Sequence, residues 1–282
     1  MISNLVSNLN AEKRECSMSV NPYDTAWVAM VQKPTVFSSY QWLFPQSYSS
    51  LLEMQNSDGS WYADVSDLDG LLSTMAALLA LLKHQYHPET TGCPPTPDLT
   101  MRISRAVSWL ESTLRNFDFD ACTDNVGFEI LMPSLLKLLR NYSVTFDFPH
   151  IQALMALAER KFVKVGLLAT AFSSGSQATP LHSLEAFVGR IDFDSLEGCK
   201  RNGSMLGSPS STAAYLMYAS KWDDEAEEYL NDAFSFGQGK KSGGIASAHP
   251  IEIMEASWVS KTSLSQRDSR TDTSGTRWHL PS

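Results

Sequence analysis

The sequence is poor in cysteine, in positive charge and in long apolar runs, and each shortage excludes a class of protein. Its four cysteines lie far apart without a Cys-x-x-Cys pair, which predicts reduced thiols in a cytoplasmic protein rather than disulfides or zinc. Lysine and arginine number 22 against 31 acidic residues, a net charge of −9 that argues against nucleic acid as a partner. The apolar run 71–82 is too short to span a bilayer, which needs about 20 residues, and residues 1–10 do not resemble a secretory signal.

Strand-like alternation is also lacking, whereas helix signals recur along the chain. Proline, capping residues and apolar spacing predict about ten helices and no real sheet, an all-α protein. The predicted helices begin at Pro22, ending before Pro34, and cover 48–55, 71–82, 101–115, 127–136, a segment opened by Pro149, 181–187, 210–219, a segment with Asp223–Glu225 in its first turn, and 250–259.

The segment Gln55–Trp61 predicts a tight turn before the apolar helix. Gly59 can adopt a positive φ, Gln55 can satisfy backbone groups at a neighbouring helix end, and Trp61 offers a large apolar body with one N–H donor. A helix that is apolar on all sides, as over 71–82, is normally enclosed by other helices. The sequence therefore predicts an inner layer surrounded by an outer one.

A weak internal echo supports a repeated helix–turn–helix unit. Asn202-Gly203-Ser204, followed by Ser208 and an apolar helix, parallels Asp58-Gly59-Ser60, followed by Ser66 and the helix over 71–82. Such units arranged in a ring give this kind of periodicity. Residues 260–282 differ in composition, being rich in serine, threonine and charge, and are predicted to be disordered.

Five segments together resemble the N-terminal part of diterpene cyclases, most closely the fungal bifunctional enzymes that make copalyl diphosphate and then a kaurene-like hydrocarbon. They occur in the family's order between about residues 15 and 259: Pro22-Tyr23-Asp24-Thr25-Ala26-Trp27-Val28-Ala29, Gln55–Trp61, Gly127-Phe128-Glu129 with Pro133-Ser134-Leu135-Leu136, Ser183-Leu184-Glu185, and Gly203-Ser204 with Ser208-Pro209-Ser210-Ser211-Thr212-Ala213-Ala214.

The resemblance implies an α/α barrel of the γ-domain type, inserted into a second, incomplete barrel called β. It assigns residues 1–20 to the β barrel, 21–249 to the γ barrel, 250–259 to the start of the returning β-barrel helix, and 260–282 to a tail outside the family pattern. In the family, an Asp-x-Asp-Asp acid protonates geranylgeranyl diphosphate, and Mg²⁺ on an Asp-Asp-x-x-Asp motif ionises the diphosphate in a third domain.

The candidate site residues are few, and none of them is predicted to be catalytic because the Asp-x-Asp-Asp acid is absent. Tyr23, Trp27, Trp61 and Phe128 are candidates to line a cavity and steady carbocations through their π faces, although plain core aromatics have the same spacing. Asp64, Asp67 and Asp69 are candidate magnesium ligands, with the N-terminal capping of a helix as the alternative.

A second acidic run, Asp223-Asp224-Glu225-Ala226-Glu227, fits the loose pattern Asp-Asp-x-x-Asp/Glu. Its position in the predicted γ barrel favours a solvated acidic helix start over a metal site.

Three interpretations follow for the chain as a whole. It is a truncated diterpene synthase-like protein, inactive alone, whose intact parent uses a prenyl diphosphate and Mg²⁺. Alternatively, it is a non-catalytic helical module that associates with a full-length cyclase. A shifted reading frame or a retained intron after Val259 is the third.

Overall fold

The computed structural model describes residues 20–35, 39–61, 66–87, 97–119, 127–172, 179–237 and 243–245, and side chains are described for these except 97, 164–172, 179–180 and 236–237. All described residues belong to one compact unit, Ser19–Ser247. The predicted helix over 250–259 and the predicted disordered tail lie outside the described residues.

The described residues are mostly helical, which confirms the predicted all-α class. The α-helices are α1 (Pro22–Ala29), α2 (Pro45–Glu53), α3 (Asp67–Tyr86), α4 (Pro97–Asn116), α5 (Phe128–Arg140), α6 (Ile151–Phe172), α7 (Pro209–Tyr218) and α8 (Asp224–Gly237). Two 3₁₀ helices, Thr179–Phe187 and Phe193–Cys199, lie between α6 and α7. No helix in these described segments is long and apolar enough to cross a membrane.

Five elements form a closed inner ring. Each of them packs against the next, in the order α1, α3, α5, the 3₁₀ helix Thr179–Phe187 and α7, and α7 packs back against α1. The outer helices α2, α4, α6 and α8 pack against α1, α3, α5 and α7 respectively, the inner helix that each follows in the chain. This alternation of inner and outer elements is the predicted α/α barrel.

Helix α3 is one of the five elements of the inner ring, as predicted. Its residues 71–82 are all buried, from 0% to 7% exposed. Ser66 caps its N-terminus by accepting a hydrogen bond from the backbone N–H of Asp69 at 3.1 Å. An apolar surface on every side is stable here because α1, α4 and α5 all pack against this helix.

The turn before α3 forms as predicted, with one difference. Gly59 has φ +99°, and the Trp61 indole N–H donates to the Leu51 carbonyl at 2.7 Å. The Gln55 amide donates to the carbonyls of Gly59 at 3.1 Å and Arg102 at 3.0 Å. Arg102 lies in the second turn of α4, so the prediction that Gln55 bonds to backbone groups at a helix end was wrong.

The two similar segments, Asp58-Gly59-Ser60 and Asn202-Gly203-Ser204, form equivalent turns. Gly203, like Gly59, has a positive φ. The backbone N–H two residues after each glycine donates to a threonine of the next inner helix at 3.0 Å: Trp61 to Thr74 of α3, and Met205 to Thr212 of α7. The same turn therefore precedes an inner helix at two places in the ring.

Several predicted boundaries were wrong. Helix α1 starts at Pro22 with Asn21 as its cap, as expected, but ends at Ala29. Pro34 instead ends the short strand β1 (Gln32–Pro34), which pairs antiparallel with β2 (Tyr40–Trp42). Three-residue strands carry too little alternation to be recognised in a sequence. Helix α2 begins at Pro45, before the predicted 48, because proline is favoured in a first helical turn.

Candidate functional site

A group of buried polar side chains gathers where α1, the 3₁₀ helix Thr179–Phe187 and α7 meet. We call it the Glu185 cluster: Tyr23, Asp24, Glu185, Ser210 and Ser211. All five are at most 7% exposed. Buried polar groups carry a large desolvation cost unless they are hydrogen-bonded, so their contacts decide whether the arrangement is stable.

The carboxyl of Glu185 joins the three elements directly. Its Oε1 accepts a hydrogen bond from the Tyr23 hydroxyl at 3.0 Å, and its Oε2 accepts one from the Ser211 hydroxyl at 2.8 Å. Ser211 Oγ in turn accepts from the backbone N–H of Leu184 at 3.0 Å. These bonds connect residues that are up to 162 positions apart in the sequence.

Asp24 holds the start of α7. Its Oδ1 accepts a hydrogen bond from the backbone N–H of Ser210 at 3.0 Å. Ser208 is the N-cap, and its hydroxyl accepts from the backbone N–H of Ser211 at 3.2 Å. The first turn of α7 is therefore satisfied partly by its own cap and partly by a carboxylate of α1.

The environment favours the neutral form of Glu185. Burial raises the pKa of its carboxyl from 4.5 to about 7, and the nearby negative charge of Asp24 acts in the same direction, against the hydrogen bonds from Ser211 and Tyr23. Burial, followed by the charge of Glu185, raises the pKa of Tyr23 well above 10.0. The cluster therefore contains an acid that exchanges its proton near neutral pH.

A narrow crevice reaches this cluster from α5. It is lined by Tyr23, Trp27, Leu131, Ser134, Leu135, Leu138, Glu185 and Ala186, and it is too narrow to admit a water molecule. Two of the four predicted cavity residues, Tyr23 and Trp27, therefore line the same crevice as Glu185. The other two, Trp61 and Phe128, are buried but do not line this crevice. The cavity-lining role of the four aromatics stays a prediction.

The structure describes two of the three candidate magnesium ligands. Asp67 and Asp69 lie in the first turn of α3, and Asp64 lies outside the described residues. Within the described ranges, no three His, Cys, Asp or Glu side chains are grouped so that they could hold a metal. The predicted magnesium site stays a prediction.

The acidic run at the start of α8 is solvated in part: Asp224 and Glu225 are exposed, as predicted, whereas Asp223 and Glu227 are partly buried. Asp223 forms an ion pair with Lys200, and their side chains are only 11% and 10% exposed. Asp223 also accepts a hydrogen bond from the Tyr215 hydroxyl at 3.2 Å. Glu227 pairs with Lys33 at 2.6 Å. These carboxylates therefore connect α8 to neighbouring segments, a role that sequence spacing does not reveal.

Sequence reasoning did not identify Glu185, Asp24 or Ser211 as site residues, although all three lie in the quoted motifs. A signal was present: Ser-Leu-Glu and Ser-Ser-Thr place polar residues within otherwise apolar segments. Such residues are informative when buried, but burial follows from the tertiary structure.

The chain is similar to fungal diterpene synthases along almost its whole length. It is 43% identical over 258 residues to pimaradiene synthase of Emericella nidulans, which covers 91% of this chain and 26% of that enzyme. It is 40% identical to copalyl diphosphate synthase of Talaromyces verruculosus, over 88% of this chain and 25% of that enzyme. Ent-kaur-16-ene synthase of Fusarium fujikuroi is also 40% identical, over 88% of this chain and 26% of that enzyme.

Solved structures give the same result. The fold matches ent-copalyl diphosphate synthase from Arabidopsis thaliana with a TM-score of 0.64 and 25% identity, over 90% of this chain and 34% of that one. Abietadiene synthase from Abies grandis has the same fold, with a TM-score of 0.64 and 23% identity, over 90% of this chain and 32% of that one. No protein-family model matches the sequence.

The chain spans about a quarter of the length of the curated relatives that it matches. Over that quarter, the chain is similar to fungal diterpene synthases at 40–43% identity.

Proposed function

We propose that this chain is the γ-type helical barrel of a class II diterpene cyclase. In this proposal the intact parent cyclises geranylgeranyl diphosphate by protonation to copalyl diphosphate and converts it to a kaurene-type diterpene. One observation carries the proposal: enzymes named for copalyl diphosphate and ent-kaurene synthesis are 40% identical to this chain over 88% of its length.

The proposed domain assignment follows the family pattern. Residues 21–249 form the γ barrel, residues 1–20 and 250–259 belong to an incomplete β barrel, and residues 260–282 lie outside the pattern. The closed inner ring from α1 to α7 supports the first of these assignments, because it makes the γ barrel a unit with its own core.

In this proposal the chain does not catalyse cyclisation by itself. Protonating an alkene requires a strong acid kept neutral by its neighbours, and the Asp-x-Asp-Asp motif that supplies it in the family does not occur in this sequence. Burial raises the pKa of Glu185 to about 7, but this carboxyl faces a crevice that does not admit even a water molecule. A C20 substrate therefore has no room beside it.

Magnesium belongs to the proposed chemistry of the intact parent. The two described aspartates, Asp67 and Asp69, do not amount to a ligand set, and carboxylate sites for such cations usually combine several oxygens.

Turnover of the purified chain tests the catalytic part of the proposal. We expect no cyclic product from labelled geranylgeranyl diphosphate with Mg²⁺, measured by organic extraction before and after phosphatase treatment. Full-length Fusarium fujikuroi ent-kaur-16-ene synthase serves as the positive control. Labelled copalol after phosphatase treatment, in a reaction with this chain alone, would overturn the claim of inactivity.

The second candidate function is a non-catalytic module that associates with a full-length cyclase. Large side chains exposed on the barrel favour it: Tyr40, Tyr86, Met101, Val163 and Tyr218 are each at least 43% exposed. Contiguous apolar patches mark protein interfaces, and Tyr86 and Tyr218 both lie close to Tyr142. Co-purification of the tagged chain with a full-length relative tests this function, and Tyr86→Ser and Tyr218→Ser should weaken any association. A lack of co-purification at micromolar concentrations would exclude it.

A further inference from the structure

We propose that the Glu185 cluster is a proton-binding site that controls how tightly the inner ring closes. When Glu185 carries a proton, the 3₁₀ helix Thr179–Phe187 is held firmly against α7 and bonded to α1. When Glu185 loses that proton, the junction opens more often. This inference concerns the folded barrel and holds whether or not the proposed enzymatic function is correct.

The position of Glu185 is the first argument. Ring closure at this point requires α1, the 3₁₀ helix and α7 to meet. The Glu185 carboxyl of the 3₁₀ helix accepts hydrogen bonds from Tyr23 of α1 and from Ser211 of α7. The backbone N–H of Leu184 also donates a hydrogen bond to Ser211 Oγ of α7. A change in the charge of this carboxyl therefore acts directly on the contacts that close the ring.

The surroundings are the second argument, because the described residues that contact Glu185 or influence its charge are uncharged or acidic. Tyr23 and Asp24 face it from α1, and Asp24 is itself acidic. Helix α7 contributes the uncharged hydroxyls of Ser210 and Ser211.

Helix α5 adds no charge at the crevice, which it lines with Ser134, Leu131, Leu135 and Leu138. Its buried Glu129 pairs with Lys161 of α6 at 3.2 Å, and Tyr229 of α8 lies close enough to Asp24 to sense its charge. Ionisation therefore places a negative charge near Asp24 without a compensating partner among these residues.

Hydrogen-bond chemistry is the third argument, because it permits both states. The ionised carboxyl accepts bonds from Tyr23 and Ser211. A protonated carboxyl donates one bond, and either hydroxyl can then reverse its role and accept. The folded barrel can consequently hold or release the proton, so protonation changes the stability of the junction.

Hydrogen exchange measured by mass spectrometry tests the proposal. With the intrinsic pH dependence of exchange removed, peptides covering 179–187 and 209–218 should exchange about tenfold faster at pH 8 than at pH 6 in the wild-type chain, whereas α4 peptides should not change. The factor follows from a carboxyl pKa near 7 in the closed state and an ordinary value of 4.5 in the open state.

Two variants and one control complete the experiment. Glu185→Gln should remove the pH dependence, and Glu129→Gln, which changes another buried glutamate, should retain it. Tyr23→Phe should shift the transition to higher pH, because the ionised carboxyl loses a donor. If Glu185→Gln does not fold, the Tyr23→Phe variant still tests the proposal. Equal exchange at both pH values in the wild type, or an unshifted transition in Tyr23→Phe, would contradict the proposal.

Discussion

His84 lies between two aromatic rings near the end of α3. Its imidazole stacks on Trp42 and on Tyr48, with ring centroids 3.7 Å away in each case, and it is 4% exposed. Its Nε2 lies 2.9 Å from the Ala29 carbonyl, which can only accept, so this nitrogen carries the hydrogen. One side chain therefore joins β2, α2 and α3 to the end of α1.

Burial of His84 predicts a loss of stability in acid. Burial lowers the pKa of His84 from 6.5 to about 4, so the unfolded chain binds a proton more readily than the folded one between these values. The contribution of His84 to the free energy of unfolding should be greatest above pH 6.5 and fall as the pH drops towards 4, by at most roughly 3 kcal/mol, whereas the raised pKa of Glu185 acts in the opposite direction between 4.5 and about 7. Urea unfolding of the wild type and a His84 variant at intervals of half a pH unit isolates the His84 contribution as the difference between the two.

A matched pair of variants assigns the slope to one residue. His84→Phe keeps an aromatic ring between Trp42 and Tyr48, and its free energy of unfolding should rise relative to the wild type as the pH falls from 6.5 to 4. His87→Gln, one turn further along at the helix end, should show no such trend. A difference between His84→Phe and the wild type that stays constant with pH would assign the effect to other groups.

At the scale of elements, the two repeated turns depend on the absence of a side chain. A Cβ on Gly59 would lie 2.5 Å from the Arg105 carbonyl carbon of α4, and one on Gly203 would overlap the Glu225 carbonyl of α8. Both glycines also have a positive φ, which side chains disfavour. The turn and the outer helix therefore pack backbone against backbone.

We expect Gly59→Ala and Gly203→Ala each to lower the free energy of unfolding by roughly 3 kcal/mol or more, since steric overlap adds to backbone strain. Gly207 has φ +72° with open space around it, so Gly207→Ala should cost only about 1 kcal/mol. Gly198 has neither a positive φ nor a close neighbour, so Gly198→Ala should leave the free energy of unfolding almost unchanged. The midpoints of denaturant unfolding, for variants with equal m-values, measure these differences. Equal losses of unfolding free energy in Gly203→Ala and Gly207→Ala would refute the packing argument.

At the scale of the whole molecule, the ring closes between the two ends of the barrel sequence. The backbone N–H of Asn21 donates to the Ile245 carbonyl at 3.0 Å, and the N–H of Ile245 donates to the Thr25 hydroxyl at 3.1 Å. Residues 220 positions apart thus complete the contacts around α1. Such a ring has no inner helix whose packing is independent of the others.

This closure predicts cooperative unfolding of the barrel. Trp27, Trp42 and Trp61 are all buried in it, so tryptophan fluorescence reports on tertiary packing while far-ultraviolet circular dichroism reports on helix content. The two signals should give the same urea midpoint. Separate midpoints would show that part of the ring unfolds independently.

The sequence by itself determined the helical class, most helix starts and the repeated turn. These depend on signals within a few residues: Pro22 after its Asn21 cap, Pro209 after Ser208, and the positive φ that glycine permits at Gly59 and Gly203. The motifs also indicated a resemblance to diterpene cyclases, and the comparisons confirmed that similarity.

Only the tertiary structure decided which residues share the candidate site. Glu185 meets Tyr23 across 162 positions and Ser211 across 26, and Lys200 pairs with Asp223 in a position that spacing assigned to solvent. A hydrogen bond within one turn is fixed by local geometry, whereas the burial that raises the pKa of Glu185 exists only when three distant segments exclude water together.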